Sequence, residues 1–225
     1  MKRRRYLALS ALTLAGCTSS SDSAGDGPDT DDQDENETTA IPEPDPIQLS
    51  GSGQTVTDEF DIAGGFTIFE LAHSGSSNFI VELHRGGQGR VEMLANEIGG
   101  WRGTIPYGLA AGEYALDTEA DGDWSATITQ PRPSTDDVQS LPVEMGDNYP
   151  NYIGPIEYTG STRIEAAYEG DSNFVVEVLN INGERVELAF NEVGAFKGTT
   201  LFSGEGAGWI RVQATGPWGV VASEQ

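Results

Sequence analysis

Along the central part of the chain, apolar positions alternate with polar ones at a period of two. Phe79, Val81 and Leu83 interleave with Ile80, Glu82 and His84, and later Phe174, Val176 and Val178 interleave with Val175, Glu177 and Leu179. Tyr114 and Leu116, then Trp124, Ala126 and Ile128, extend the alternation. A period of two belongs to strands with one face towards a core, and the Gly-rich stretches between the runs predict tight antiparallel turns. One segment is ambiguous: Val91, Leu94, Ala95 and Ile98 also fit helical spacing, as do Val186, Ala189, Phe190 and Val193. Nine residues bounded by glycines are short for a helix, so strand is the expectation.

The pattern occurs twice. At an offset of 95, Ser77–Thr104 aligns without gaps on Ser172–Thr199, with 13 identities in 28 positions. Gly65, Thr67, Glu70 and Gly75 recur as Gly160, Thr162, Glu165 and Gly170; a shift of one brings Gly112 to Gly208, and a small indel brings Trp124 to Trp218. The copies run over 48–131 and 142–225, and 132–141 with Pro131-Arg132-Pro133 reads as a stiff, polar linker. Each copy is long enough for one modest core without metals or disulfides. The expected fold is all-β, with two tandem small antiparallel β-sandwich domains of jelly-roll type. Trp124 and Trp218 belong to the two cores.

The N-terminus carries a different pattern. Lys2 to Arg5 is basic, Tyr6 to Ala15 is apolar, and Gly16 and Cys17 follow. The apolar stretch is too short to span a bilayer, which takes about 20 residues, and is an export signal over residues 1–16. Arg3-Arg4-Arg5-Tyr6-Leu7 resembles the twin-arginine pattern, with the general secretory route as the alternative. Leu14-Ala15-Gly16-Cys17 resembles the lipobox, in which Cys17, the only Cys, is lipidated and becomes the mature N-terminus. Multiple acyl chains would hold the protein stably on a membrane. Thr18 to Pro46 contains ten Asp or Glu, no Lys or Arg and one sizeable apolar residue, Ile41, so 17–47 is expected to be a lipidated Cys followed by a disordered acidic tether. Asn36-Glu37-Thr38 is a weak N-glycosylation acceptor at Asn36.

Charge narrows the partners. The 225 residues hold 36 Asp+Glu against 12 Lys+Arg, a net charge of −24 that excludes nucleic acid as an expected partner. Without Lys2 to Arg5 the balance from Cys17 onward becomes −28. Such repulsion opposes a compact state at low salt, and at about 1 M salt the screening length falls to ~3 Å. Together with only two Lys, this composition reads as adaptation to high salt, with sequestration of cations as the rival.

The Gly65-to-Leu83 stretch, Gly112-Glu113-Tyr114-Ala115-Leu116 and Asp121-Gly122-Asp123-Trp124 resemble the pre-peptidase C-terminal type of small β-sandwich module. With the lipobox and the acidity, the whole chain is similar to the surface lipoproteins of halophilic archaea. The resemblance implies an accessory, binding or spacing role and supplies no catalytic residues.

Three sets of residues carry candidate chemistry. If a simple hairpin closes around Leu83–Arg90, Val81 faces Met93 and Glu82 faces Glu92; in the second copy Val176 faces Leu188 and Glu177 faces Glu187. Carboxylates paired across a ladder repel, so a cation, an Arg or salt must answer them, and Arg90 and Arg185 recur beside them. The alternatives are a solvated charge face and a calcium site. Asn96-Glu97-Ile98-Gly99 recurs as Asn191-Glu192-Val193-Gly194: a turn explains it, and Asn96, Glu97, Asn191 and Glu192 are weak calcium ligands for a site that needs six to eight. Trp101-Arg102 recurs as Phe196-Lys197, an aromatic followed by a cation that could stack on and hydrogen-bond a sugar, or whose ring could plug the end of the sandwich. Calcium apart, no cofactor is expected. His73 and His84 give way to Tyr168 and Leu179 in the second copy, and no H-E-x-x-H, G-x-S-x-G or P-loop pattern occurs. The expected function is a non-enzymatic, lipid-anchored cell-surface protein facing the extracellular side, a binding or adhesion module for an envelope glycan or surface protein. The alternatives are a structural spacer or accessory subunit, and a hydrolase of unknown type.

Overall fold

The computed structural model describes residues 42–225. The export signal, Cys17, Asn36 and most of the tether lie outside the described residues. Among the described residues no helix is long and apolar enough to cross a membrane.

The chain is all-β. The first repeat forms two sheets. One has the order β1 (Ile47–Ser52), β9 (Asp123–Thr129), β4 (Gly65–His73) and β7 (Trp101–Leu109). The other has the order β2 (Thr55–Val56), β8 (Gly112–Ala120), β5 (Asn78–Arg85) and β6 (Gly89–Ile98), with β3 (Phe60–Ile62) also paired to β8. The segment 89–98 is strand, as its length required. All strand pairs are antiparallel, and the inward period-two residues Phe79, Val81, Leu83, Leu116, Trp124, Ala126 and Ile128 form one core.

The second repeat builds the same set with fewer breaks. Its strands are β10 (Val143–Asp147), β11 (Asn151–Tyr168), β12 (Asn173–Asn180), β13 (Arg185–Val193), β14 (Phe196–Ala214) and β15 (Trp218–Glu224). They form one sheet in the order β10-β15-β11-β14-β12-β13. The C-terminal half of β11 corresponds to β4 and its N-terminal half to β3; β14 likewise corresponds to β7 plus β8. Where the first repeat interrupts its pairing between Ile62 and Gly65, the second carries the ladder through Thr159↔Glu205. Gly160 (φ 132°) and Gly206 (φ 91°) sit at this corner, where residues lacking Cβ allow the bend.

The segment between the repeats is not a free linker. Gln130 is buried and its Oε1 accepts the Ala63 N–H at 2.7 Å; Arg132 Nη2 donates to Gly64 O at 2.6 Å; Thr135–Asp137 forms a single 3-10 turn. A third cluster joins the modules: Phe66 and Ile68 from the first pack on Leu179 and Trp209 from the second, and the Phe66 and Trp209 rings stack at 4.0 Å. At Gly108 and Gly183 the two backbones approach so closely that a Cβ on Gly108 would lie 2.7 Å from the Gly183 carbonyl carbon.

Candidate functional site

The acidic residues do not pair as a simple hairpin would have them. Glu82 lies opposite Met93 and Glu92 opposite Leu83, with Val81 opposite Ala95. In the second module Glu177 lies opposite Leu188, Glu187 opposite Val178, and Val176 opposite Phe190. The cause is a pair of β-bulges in each hairpin. The register slips between Val81 and Glu82 and again between Leu83 and His84, leaving Leu94 and Val91 as the extra residues; Ala189 and Val186 repeat this. The carboxylates are answered by arginine. Arg90 Nη1 donates to Glu82 Oε1 at 2.6 Å, holding that carboxyl below the usual carboxylate range, and His84 lies 3.3 Å from its other oxygen.

The calcium set disperses. Among the described residues no group of three or more His, Cys, Asp or Glu is placed to hold a metal ion. Asn96 and Asn191 belong to strands, opposite Ile80 and Val175, so the turn begins only at Gly99 and Gly194. Glu187, Asn191 and Glu192 are exposed. Glu97 turns towards the other module and accepts the Thr215 hydroxyl at 3.3 Å; its burial raises its pKa.

The Trp101 ring is buried, tilted against Phe79, so it offers no face to a sugar and plugs the core. Phe196 is half-buried against Phe174 and Phe190. Their neighbours Arg102 and Lys197 both point outward but meet different surroundings. Arg102 lies over the Tyr149 ring at 5.1 Å, whereas Lys197, the one Lys among the described residues, makes no ion pair among them.

Two features escaped the alternation pattern. The first is a charged cluster at the junction. Glu177 is 4% exposed; Arg185 Nη1 donates to its Oε1 at 3.0 Å, and Arg211 donates to Oε2 from Nε at 2.7 Å and from Nη2. Arg211 also donates to Pro106 O at 2.9 Å and lies over the Tyr107 ring at 4.7 Å, so the network crosses between modules. Burial pushes the Tyr107 hydroxyl up to about 12 and raises Glu92 beside it. Within this set the Glu177 carboxylate is answered by Arg185 and Arg211.

The second feature is a groove. On the outer face of β10, β15, β11 and β14, Ala167, Gly219 and Val221 form a floor flanked by Glu144, Glu165 and Lys197, and enclose about 680 Å³. Along Phe196–Gly204, β14 is paired with β11 on one side only, because β12 joins it only from Gly208 onward. Leu201 on that open edge is 53% exposed. The matching face of the first module, around Glu70, Ala72, Arg102 and Ser125, is walled by Asp147, Tyr149, Pro150 and Asn151 of the second and encloses about 290 Å³. A repeat alignment could have matched these faces, but it could not reveal that one is covered.

The chain matches no protein-family model and no curated protein. Among solved structures it is similar to a conserved protein of unknown function from Pseudomonas aeruginosa PAO1, at 11% identity and TM-score 0.22 over 79% of this chain and 80% of that one. The PBSX exported protein XepA is similar at 9% identity and TM-score 0.26 over 78% and 85%, and a Paenibacillus xanthan lyase at 11% and 0.25 over 83% of this chain and 27% of that one. At TM-scores this low, the likeness transfers neither an activity nor a site.

Proposed function

We propose that this chain is a non-enzymatic, exported and lipid-anchored surface protein whose second β-module binds a component of the cell envelope. The groove at Lys197 carries the reading. It is open, apolar at its floor, and edged by the unpaired side of β14 over Phe196–Gly204, whereas soluble proteins normally protect such edges. The signal and lipobox at Cys17 support display on the outer side of a membrane, and the acidic surface supports work at high salt. The binding face in this proposal is the groove rather than the Trp101 ring, because that ring is buried. A structural spacer is the second reading, and the same buried ring is the observation in its favour.

The test is retention of the full chain on isolated envelope material at about 2 M salt, where surface repulsion is screened. Wild-type retention that falls in the exposed-face double variant Lys197→Glu/Val221→Arg supports the binding module. Equal retention of both moves the site off this face, and no retention of either leaves the spacer.

A further inference from the structure

We propose that the groove and the open edge of β14 receive an extended aromatic–proline segment from a partner protein. This deepens the binding-module reading and rests on it. The molecule contains its own precedent. On the first module the corresponding edge strand, β7, is covered: Thr104 N–H donates to Pro150 O at 2.9 Å, Pro150 Cδ sits 3.2 Å from where a Cβ on Gly103 would be, and the Tyr149 ring lies under the Arg102 guanidinium. Trp218 Nε1 holds the segment from behind by donating to Tyr149 O at 2.8 Å.

The second module keeps each receiving group. Lys197 replaces Arg102 as the cation over a ring, Gly198 replaces Gly103, and Thr199 replaces Thr104. Glu70↔Thr104 and Glu165↔Thr199 are equivalent ladder pairs, so the Thr199 N–H faces the open side of β14 as the Thr104 N–H faces Pro150. The floor has also become more apolar, with Gly219 and Val221 where the first module has Ser125 and Thr127; Val221 is 38% exposed. The site therefore offers a cation for a ring, an apolar trough and a backbone donor for the proline's own carbonyl.

A second copy of this chain is a poor occupant. Each copy's Tyr149-Pro150 is already seated on its own Arg102. The loop of the first module at the equivalent place, Ser52-Gly53-Gln54-Thr55, has neither ring nor proline, and a net charge of −24 opposes self-association.

The probe is a peptide carrying residues 146–151 of this chain, titrated to about 5 mM into the isotopically labelled full chain, a range that detects affinities near 1 mM. The expected result is saturable shifts of the Lys197, Thr199 and Val221 amides. These shifts should fall at least about fivefold with Lys197→Glu, and vanish with a peptide carrying Tyr149→Ser. Absence of shifts, or shifts indifferent to the ring, overturns the proposal. Sedimentation of the chain alone supplies the other arm: self-association abolished by Val221→Arg would make a second copy the occupant and overturn it equally. Envelope retention that depends on Lys197 without any peptide response would sink the aromatic–proline chemistry while leaving the binding module. A peptide response without retention would do the reverse.

Discussion

In the first module the edge strand β7 is sealed along its length by the second module, through Pro150, Arg211 and the Gly183 backbone; in the second module the equivalent half of β14 faces solvent. The same asymmetry runs through matched residues. Trp124 and Trp218 are both core, yet Trp218 Nε1 finds the Tyr149 carbonyl while Trp124 Nε1 is buried without a partner. His73 and Tyr168 stack on Phe79 and Phe174 at 4.7 and 5.0 Å, but the hydroxyl of Tyr168 reaches Thr215 O while His73 Nδ1 lies 2.8 Å from Gly99 O. Glu82 forms a surface pair and Glu177 a buried one. Two copies of one module have thus diverged according to what each touches: the second supplies the cap, and the first receives it.

The largest expected effect comes from removing what joins them. Trp209→Ala deletes the ring stacked on Phe66 and should cost about 3–5 kcal/mol, splitting one unfolding transition into two by calorimetry. Next is the contrast between matched carboxylates. Glu177→Gln leaves Arg211 poorly answered in a buried site and should cost about 3 kcal/mol in denaturant unfolding, whereas Glu82→Gln should leave the midpoint unchanged. A smaller loss, about 1–3 kcal/mol, is expected for Gly108→Ala, whose methyl would press on the Gly183 backbone; Ser203→Ala, at the exposed counterpart, should be silent.

The smallest effects are in pH. Asp121 accepts from the backbone N–H groups of Ser77 and Ser76, which lower its pKa below the ordinary 3.8. Its contribution is therefore complete above the unfolded value and is lost as pH falls through the folded one. Hydrogen exchange should show the 75–77 turn of the first module loosening in acid, with Asp121→Asn removing the dependence and the Gly170–Ser172 turn of the second unaffected. Glu97 has the opposite sign: burial raises its pKa above 4.5, so its charged form opposes the joint once pH exceeds the folded value, and Glu97→Gln should stabilise the joint at neutral pH.

The strands were legible because each buries one face, and that demand writes a period of two into residues such as Phe79, Val81 and Leu83. The helix-like spacing of Val91, Leu94, Ala95 and Ile98 was a signal in its own right. A bulge adds a residue to one strand, so Leu94 and Ala95 are both buried in succession, and no single period describes the segment. The hairpin register built on strict alternation failed for that reason, and the facing carboxylates went with it. Arg90 and Arg185 were correctly suspected as partners, since they lie eight residues from Glu82 and Glu177 in both copies. Arg211 was not, because it lies 34 residues from Glu177 along the chain, and no local rule links such a pair.

By itself the sequence determined an all-β chain, two copies of one strand pattern and an acidic surface, since burial, repetition and charge are each carried by residue type and spacing. The tertiary structure alone decided which copy would be covered. Arg102 and Lys197 are near-equivalents in sequence; the Tyr149-Pro150 segment reaches Arg102 and Thr104 of the first module and not Lys197 and Thr199 of its own. Contacts between distant segments depend on that docking geometry, and spacing along the chain does not encode it.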